Sequence, residues 1–346
     1  MLSMTCVGMA LGGFGIALDK TPWLFALLLG VGLLGSTFGI DLEALRAEDW
    51  KLIIWAITVG VTAKASFTGI VMYAVTRDPR YFVVAISVAQ MDPLSVGALL
   101  DDNSRLSPRA RSLLRAWAAL DDPVTVILTL GVILMLKLTH TDVGMTIASL
   151  QVQDLESLGL YAVHNVAFMA VIVFFWQKAA ISRTSSAKLW LTVAFAAGGL
   201  LVGATWFWMF GLALLGLFMR PDGDVYQKAK DILDRSVDIA FYAAAIVVGA
   251  LLVHHGVDVW HGTLLGVSVY ASQALVTCAA PGRRSFSTFD RRYIMAAHQN
   301  GLTACSLAIV LGVVDVVAFA VVVTHVLNYC VNRHINVQYD KELGRE

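Results

Sequence analysis

The chain has 346 residues, of which 58% are hydrophobic and only 14% are charged, and its mean hydropathy is +0.72. Soluble domains carry about 25% charged residues, so this composition indicates an integral membrane protein and excludes an ordinary soluble domain. The 25 basic and 25 acidic residues give a formal net charge of zero, which argues against a nucleic-acid partner.

Twelve apolar segments are candidates for membrane-spanning helices, since a helix needs about 20 apolar residues to cross the bilayer. In chain order they are residues 3–18, 22–40, 52–75, 80–100, 112–138, 158–178, 188–204, 206–219, 236–254, 259–280, 291–312 and 314–332. The first is short, and the seventh and eighth divide one apolar run. The sequence thus predicts an all-α membrane protein whose residues 1–346 form a single transmembrane domain, with a short tail at residues 333–346.

Basic residues between the spans fall almost entirely on one side. With twelve spans, 20 of the 25 Lys and Arg residues lie on the side of the N-terminus and the even-numbered loops. The opposite side has Lys20, Arg77, Arg80 and Lys137, and Lys64 lies inside the third span. The positive-inside rule therefore places both termini in the cytoplasm.

Few ionisable side chains lie deep within the spans, and each is a candidate for function because a buried charge is costly in lipid. They are Lys64 in the third span, Asp92 in the fourth, and Asp121 and Asp122 in the fifth. The eleventh span carries a polar run, His298, Gln299 and Asn300, directly before Gly301.

A proline follows two of these carboxylates: Pro93 follows Asp92, and Pro123 follows Asp122. Proline removes one helical N–H and disfavours helical angles at the preceding residue, so carbonyl oxygens become available beside each carboxylate. Oxygen ligands with negative charge suit a small hard cation such as Na⁺. They also suit a proton, because the adjacent carboxylates of Asp121 and Asp122 do not both ionise unaided in a low dielectric. A site that holds either ion in turn is what a cation/proton transporter requires.

Five segments carry a family resemblance: GVGLLGSTFGIDLEAL, VAISVAQMDPLSVGALL, AALDDPVTVIL, IAFYAAAIVVGALL and IMAAHQNGLTACSLAIVLG. In order and spacing they resemble segments of the monovalent cation/proton antiporter superfamily, the sodium/proton antiporters and their Kef-like relatives. The resemblance covers nearly the whole chain. Its strongest part is the pair Asp92 and Asp122, thirty residues apart on consecutive spans.

This resemblance implies an antiporter fold of about 12 transmembrane helices with inverted repeats, in which helices 3–5 are related to helices 10–12 and form the ion-binding core. Two broken helices would cross at the midplane, one around Asp92–Pro93 and the other around Asn300–Gly301. The implied activity is exchange of a monovalent cation, Na⁺ or else K⁺ or Li⁺, for protons by alternating access, without a cofactor. The implied setting is the lipid bilayer of a bacterial inner membrane, with the protein as a homodimer.

Residue roles follow from the same resemblance. Asp122 would carry the cation and the proton in turn, with Asp121 beside it as a second ligand of the transported cation. Asp92 would balance the positive N-terminal ends of the half-helices. Supporting roles are predicted for Lys64, Asn300, Gln273, Gln299, Pro93, Pro123 and Gly301.

The chain departs from the family pattern at several positions. Met91 stands where many members have threonine, and Gln273 and Asn300 stand where many have a basic residue. The basic residue here is Lys64, on the third helix. Two interpretations of Lys64 remain open: it pairs with Asp121 or Asp122, or it extends toward the membrane surface and supports helix 4.

Other functions are open at this stage. A cation or proton channel, or an ion sensor, could use the same fold. A bile-acid-type symporter shares the architecture and would be expected to have a pocket for an organic anion. An intramembrane aspartyl protease also needs two aspartates on neighbouring helices, but neither Asp92 nor Asp122 lies in the YD and GxGD contexts expected of one.

Overall fold

A computed structural model of the chain describes residues 2–13, 22–38, 40, 50–92, 96, 105–139, 155–181, 183–281, 286–298, 300–342 and 344. Within these ranges the regular structure is helical, without β-strand. The helices are α1 (Leu2–Gly13), α2 (Pro22–Phe38), α3 (Trp50–Trp55, a π-helical turn at Ala56–Gly60, and Val61–Thr76), α4 (Pro79–Val88), α5 (Pro108–Leu138), α6 (Leu155–Ala180), α7 (Ser185–Thr205), α8 (Met209–Phe218), α9 (Gly223–His255), α10 (Val259–Ala279), α11 (Thr288–Ala296), α12 (Leu302–Leu311) and α13 (Val314–Glu342).

A helix or a pair of half-helices lies at each of the twelve predicted spans. Among the described residues, six helices are long and apolar enough to cross a membrane: Lys51–Thr76, Pro108–Leu136, Gly159–Ala180, Ser185–Thr205, Val259–Ala279 and Val314–Glu342. Two helices extend beyond their predicted spans, because α9 begins at Gly223 and α13 continues to Glu342. Their added turns are rich in charged residues, so they lack the apolar signal of a span.

The described helices form two compact units. The first contains α1, α2 and α6 to α9, with the last part of α5 and most of α12. Here α1 packs closely on α9: a Cβ atom added to Gly8 would lie 1.9 Å from the carbonyl oxygen of Ile246, and one added to Gly12 would lie 2.6 Å from that of Ala250. Small residues thus allow the two backbones to touch, as is common in membrane helices.

The second unit contains α3, α4, α10, α11 and α13, with α5 as far as Thr129 and the first turn of α12. Side-chain caps define where three of its helices begin. Asp78 accepts a hydrogen bond from the backbone at the start of α4, and Asp258 and Ser287 do the same for α10 and α11.

Two breaks in helical structure lie in this second unit, although most of α12, which follows the second break, belongs to the first unit. Helix α4 ends at Val88 and is followed by a non-helical stretch, residues 89–92, which we call the first break. Helix α11 ends at Ala296 and α12 begins at Leu302; the described residues between them, 297–298 and 300–301, form the second break. In contrast, α5 remains helical through Pro123, so this proline does not interrupt it.

Candidate functional site

Lys64 and Asp121 meet beside the first break. Lys64, on α3, is fully buried, and its Nζ forms an ion pair with Oδ2 of Asp121 on α5. The same oxygen accepts a hydrogen bond of 2.9 Å from the backbone N–H of Met91. The Nζ also lies 5.9 Å from the ring centroid of Trp117. Of the two interpretations of Lys64, the structure therefore has the paired one, and its ammonium does not reach the membrane surface.

Asp122 faces a different partner, because successive side chains on a helix point about 100° apart. Its Oδ2 accepts a hydrogen bond of 2.7 Å from the hydroxyl of Thr303, in the first turn of α12. Asp122 is fully buried, and its Oδ1 has no hydrogen-bond partner among the described residues. The charged groups that act on it are Asp92, Asp121 and Lys64. Asp122 therefore keeps one carboxylate oxygen available for a further ligand.

Asp92 lies against the second break. It is 2% exposed, and a Cβ atom added to Gly301 would lie 2.2 Å from Cγ of Asp92 and 2.4 and 2.5 Å from its two carboxylate oxygens. Any larger residue at Gly301 would displace that carboxylate. Gly301 directly precedes α12, whose unpaired N–H groups give its N-terminus a partial positive charge. The carboxylate of Asp92 thus lies at a helix end that stabilises negative charge.

Neutral amides hold the C-terminal end of α11 at the second break. Asn328, on α13, donates hydrogen bonds of 2.8 Å to the carbonyl of Ala296 and 3.4 Å to that of His298. Gln273, fully buried on α10, donates one of 3.4 Å to the carbonyl of Ile294. Carbonyl groups at the C-terminus of a helix lack helical partners and carry partial negative charge. Amides therefore satisfy carbonyls here without adding a positive charge.

Two histidines bracket Asn300. Nε2 of His298 lies 2.8 Å from Oδ1 of Asn300, and Nε2 of His325 lies 2.9 Å from its carbonyl oxygen. Because both oxygens accept, each imidazole donates from Nε2. Nδ1 of His298 and Nδ2 of Asn300 have no hydrogen-bond partner within the described ranges. The same is true of both amide atoms of Gln90, in the first break.

The structure brings together most of the residues that the sequence singled out. Lys64, Asp92, Asp121, Asp122 and Gly301 gather around the two breaks. The other predicted positions are arranged as follows: Asn300 lies in the second break, Gln273 contacts α11, Pro123 is buried in α5, and Pro93 and Gln299 lie outside the described residues.

The sequence interpretation missed three residues of the site, Thr303, Gln90 and Asn328. Thr303 carried a usable signal, since a hydroxyl two residues after a mid-span glycine falls in the first turn of the following half-helix. Gln90 lies two residues before Asp92 and could have been found as a further amide in an apolar span. Asn328 had no such signal, because its partners are backbone carbonyls more than 25 residues away.

The site combines three buried carboxylates with one buried ammonium, and its four charged side chains are 0–2% exposed. Lys64 neutralises Asp121, and the N-terminus of α12 stabilises Asp92. Within the described ranges, Asp122 has a hydroxyl donor but forms no ion pair. Chemically, such a carboxylate can bind a proton or a small cation, and it can release either one when the other arrives.

Comparison with known proteins agrees with this arrangement. A family model described as "Sodium/hydrogen exchanger, transmembrane" matches residues 1–316. Among solved structures, the sodium proton antiporter MjNhaP1 from Methanocaldococcus jannaschii at pH 8 has a similar fold, with a TM-score of 0.76 and 14% sequence identity over 96% of this chain and 91% of that chain. A search of curated proteins gave no match. At this identity the structural likeness concerns the fold alone, whereas the family match covers most of the chain.

Proposed function

Because the chain belongs to the sodium/hydrogen exchanger family, we propose that it exchanges Na⁺ for protons by alternating access, with Asp122 as the shared carrier. Members of this family are membrane transporters and not enzymes, so an aspartyl protease is excluded. Cation/proton antiport is the activity that the family supports. The choice of Na⁺, the access mechanism and the residue roles are our proposal.

One observation carries the assignment to Asp122: its Oδ1 is buried and has no hydrogen-bond partner in the described part of the chain. An unpartnered carboxylate oxygen in a dry interior is costly, and a ligand that completes its coordination removes that cost. Asp121 is a poorer carrier, because Lys64 and the Met91 N–H already occupy its Oδ2.

Competition between proton and cation follows from the charges. When all the charged groups are ionised, three carboxylates and one ammonium give the buried site two excess negative charges. These groups belong to Asp92, Asp121, Asp122 and Lys64. One added positive charge on Asp122 lowers this excess, and either H⁺ or Na⁺ can supply it. Once one of these ions neutralises the Asp122 carboxylate, that carboxylate attracts the other ion only weakly. Binding of one ion therefore expels the other, which is the requirement for exchange.

Alternating access is supported by the helices that hold the two breaks and by the burial of the site. The first break is held by α3 and α5 through Lys64 and Asp121, and the second is held by α10 and α13 through Gln273 and Asn328. The buried site is closed to water in this structure, so exchange requires that it open to each side in turn.

We propose that the second unit is the ion-binding core, and that both termini lie in the cytoplasm of a bacterial cell.

Reconstitution tests the proposal. Proteoliposomes that contain a pH-sensitive dye are given an external pulse of NaCl, LiCl, KCl or choline chloride. We expect Na⁺ to make the lumen alkaline, because Na⁺ entry drives proton exit, and choline to have no effect. Asp122→Asn should abolish this response while the protein stays monodisperse in detergent, because an amide neither titrates nor carries charge.

Asp238→Asn provides a matched control, since it makes the same chemical change at an exposed position on α9. It should exchange at the wild-type rate. Wild-type exchange in Asp122→Asn would remove Asp122 from the carrier role. Radioactive Na⁺ uptake by the wild type without proton movement would indicate a channel and overturn the antiport proposal itself.

A further inference from the structure

The side chain of Gln90 is buried in the first break, yet nothing in the described structure binds it. Its relative exposure is 0%, and neither Nε2 nor Oε1 has a hydrogen-bond partner among the described residues. Leaving a buried donor or acceptor unpaired is unfavourable, because the group has lost its hydrogen bonds to water. A leucine or methionine of similar size would avoid this cost, which indicates that the amide has a partner other than the described residues.

The position of Gln90 limits what that partner can be. The next residue, Met91, donates its backbone N–H to Asp121, the neighbour of the proposed carrier. Asp92, two residues after Gln90, lies against Gly301 at the N-terminal end of α12. Thr303, in the first turn of α12, donates a hydrogen bond to Asp122. Gln90 therefore belongs to a short non-helical stretch that is held on the carboxylate site by its own following residues.

The side chain of Met91 packs in the apolar core. It is fully buried in a cluster with Trp117, Ala118 and Tyr293. The hydroxyl that would be expected at this position is thus replaced by a thioether that packs in the core. Gln90 is the adjacent residue that brings a polar oxygen into the break.

We propose that Oε1 of Gln90 is a neutral ligand of the transported cation and determines which monovalent cation is accepted. This inference rests on the proposed exchange function. Hard cations take carboxylate and amide oxygens together, and Oε1 of Gln90 and Oδ1 of Asp122 are the buried side-chain oxygens near the first break that lack partners in the described residues. Because no hydrogen bond fixes the amide, it is free to turn its oxygen toward the ion.

Gln273 is a matched control. It is also a fully buried glutamine, and its Oε1 also lacks a partner within the described structure. However, its Nε2 donates to the carbonyl of Ile294 at the end of α11 and, within α10, to the hydroxyl of Thr277 at 3.5 Å. The same substitution at the two positions therefore separates an ion ligand from a structural amide.

The experiment compares Gln90→Leu, Gln90→Asn and Gln273→Leu with the wild type in the proteoliposome assay. The apparent KM is measured for Na⁺, Li⁺ and K⁺. We expect Gln90→Leu to raise the KM for Na⁺ about tenfold, equivalent to about 1.4 kcal/mol, and to change the ratio of the Na⁺ and Li⁺ values. Gln90→Asn, which keeps a shorter amide, should change the ratio with a smaller loss. Gln273→Leu should lower the Tm and leave the ratio unchanged.

A binding readout supports the flux data and does not depend on turnover. The Tm of the detergent-solubilised protein is measured in NaCl and in choline chloride, and the Na⁺-dependent rise should be smaller in Gln90→Leu than in Gln273→Leu. Unchanged KM ratios in both Gln90 variants, or equal scaling of the three KM values, would overturn the inference. Asp122→Asn in the same assay distinguishes the two proposals: if wild type exchanges and Asp122→Asn does not, only the role of Gln90 has failed.

Discussion

Asp121 and Asp122 are neighbours in sequence, yet each meets a different set of groups. Asp121 is bound by the Lys64 ammonium and the Met91 N–H, whereas Asp122 receives only the Thr303 hydroxyl in the described structure. A helix separates adjacent side chains by about 100°, so two identical residues face two different elements. One carboxylate is thereby fixed in an ion pair, and the other keeps an oxygen available, which is why we propose it as the ion carrier.

The pair between Lys64 and Asp121 gives a prediction about stability. Lys64→Gln leaves the buried Asp121 carboxylate without a counter-charge, and the loss of one partner from a buried pair costs about 3–5 kcal/mol. We expect a lower Tm in detergent for Lys64→Gln and for Asp121→Asn. The double variant should recover much of the loss, because two neutral amides can still hydrogen-bond to each other and to Met91. Additive losses in the double variant would show that the two residues do not act as a pair.

A second prediction concerns Gly301. In Gly301→Ala the new Cβ would overlap the Asp92 carboxylate, so Asp92 must leave the N-terminus of α12. We expect Na⁺-driven proton movement to be lost, or reduced at least about tenfold, an energetic change of about 1.4 kcal/mol or more. Gly131→Ala, on α5, is the control: nothing lies within 4 Å of its added Cβ, so it should transport normally. Normal transport by Gly301→Ala would mean that the close approach of Asp92 is not needed.

The charged residues of the site were predictable because charges are rare in apolar spans. Burying a charged side chain in lipid is costly, so such residues can be recognised in the sequence without any knowledge of the fold. Here they are Lys64, Asp92, Asp121 and Asp122. Their partners were not predictable in this way. Whether Lys64 binds Asp121 or Asp122 depends on how α3 and α5 are rotated against each other, and this rotation follows from packing over the whole unit.

At the level of helices, the aspartates of two Asp-Pro pairs have different surroundings. Asp92 lies in a break, whereas α5 continues as a helix through Pro123. Proline lowers the stability of a helix but does not set its end, because packing on both sides can hold the flanking turns. The second break has no proline among its described residues and was inferred from the polar run before Gly301 and from the family resemblance.

Helix α10 offers a test of how a loop carboxylate contributes to stability. Asp258 caps this helix, accepting hydrogen bonds of 3.0 Å from the backbone N–H of His261 and 2.5 Å from its Nδ1. Burial raises the pKa of Asp258, but the hydrogen bonds from the side chain and backbone of His261 outweigh it, so the pKa lies below its usual value. A lowered pKa adds stability that is present above the unfolded-state pKa and is lost as the pH falls through the folded-state pKa.

Asp258→Asn keeps the capping oxygen and removes the charge. We expect it to be less stable than the wild type by about 0.3–1 kcal/mol at neutral pH, the usual value of an acidic group at a helix N-terminus. The difference should shrink as the pH falls below the usual pKa of an aspartate, and it should disappear once the carboxyl is protonated in the folded wild type as well. Asp258→Ala also loses the cap, so its deficit should persist at every pH. Thermal melts across this pH range measure both; a constant deficit for Asp258→Asn would contradict the charge argument.

At the scale of the whole molecule, hydropathy located the spans well but not the ends of the longest helices. Helices α9 and α13 begin or end outside the apolar segments, in turns rich in charged residues. A helix of 29 residues is about 43 Å long, more than the roughly 30 Å of the hydrocarbon core, so α13 must project beyond it. A homodimer remains a prediction from the family resemblance.

The orientation of α13 provides the last prediction. Its first turn lies beside Asp258, whose backbone N–H donates to the carbonyl of Asp315, and its far end carries Asp340, which pairs with Arg105 at 2.9 Å. Val257, 44% exposed, and the exposed Lys341 therefore mark opposite ends of this helix. The excess of basic residues predicts that the Lys341 end lies in the cytoplasm. In a cysteine-free background, an impermeant thiol reagent added to intact cells should label Val257→Cys, and it should label Lys341→Cys only after the cells are opened. The reverse pattern would invert the topology, and labelling of both from outside would mean that α13 does not cross the membrane.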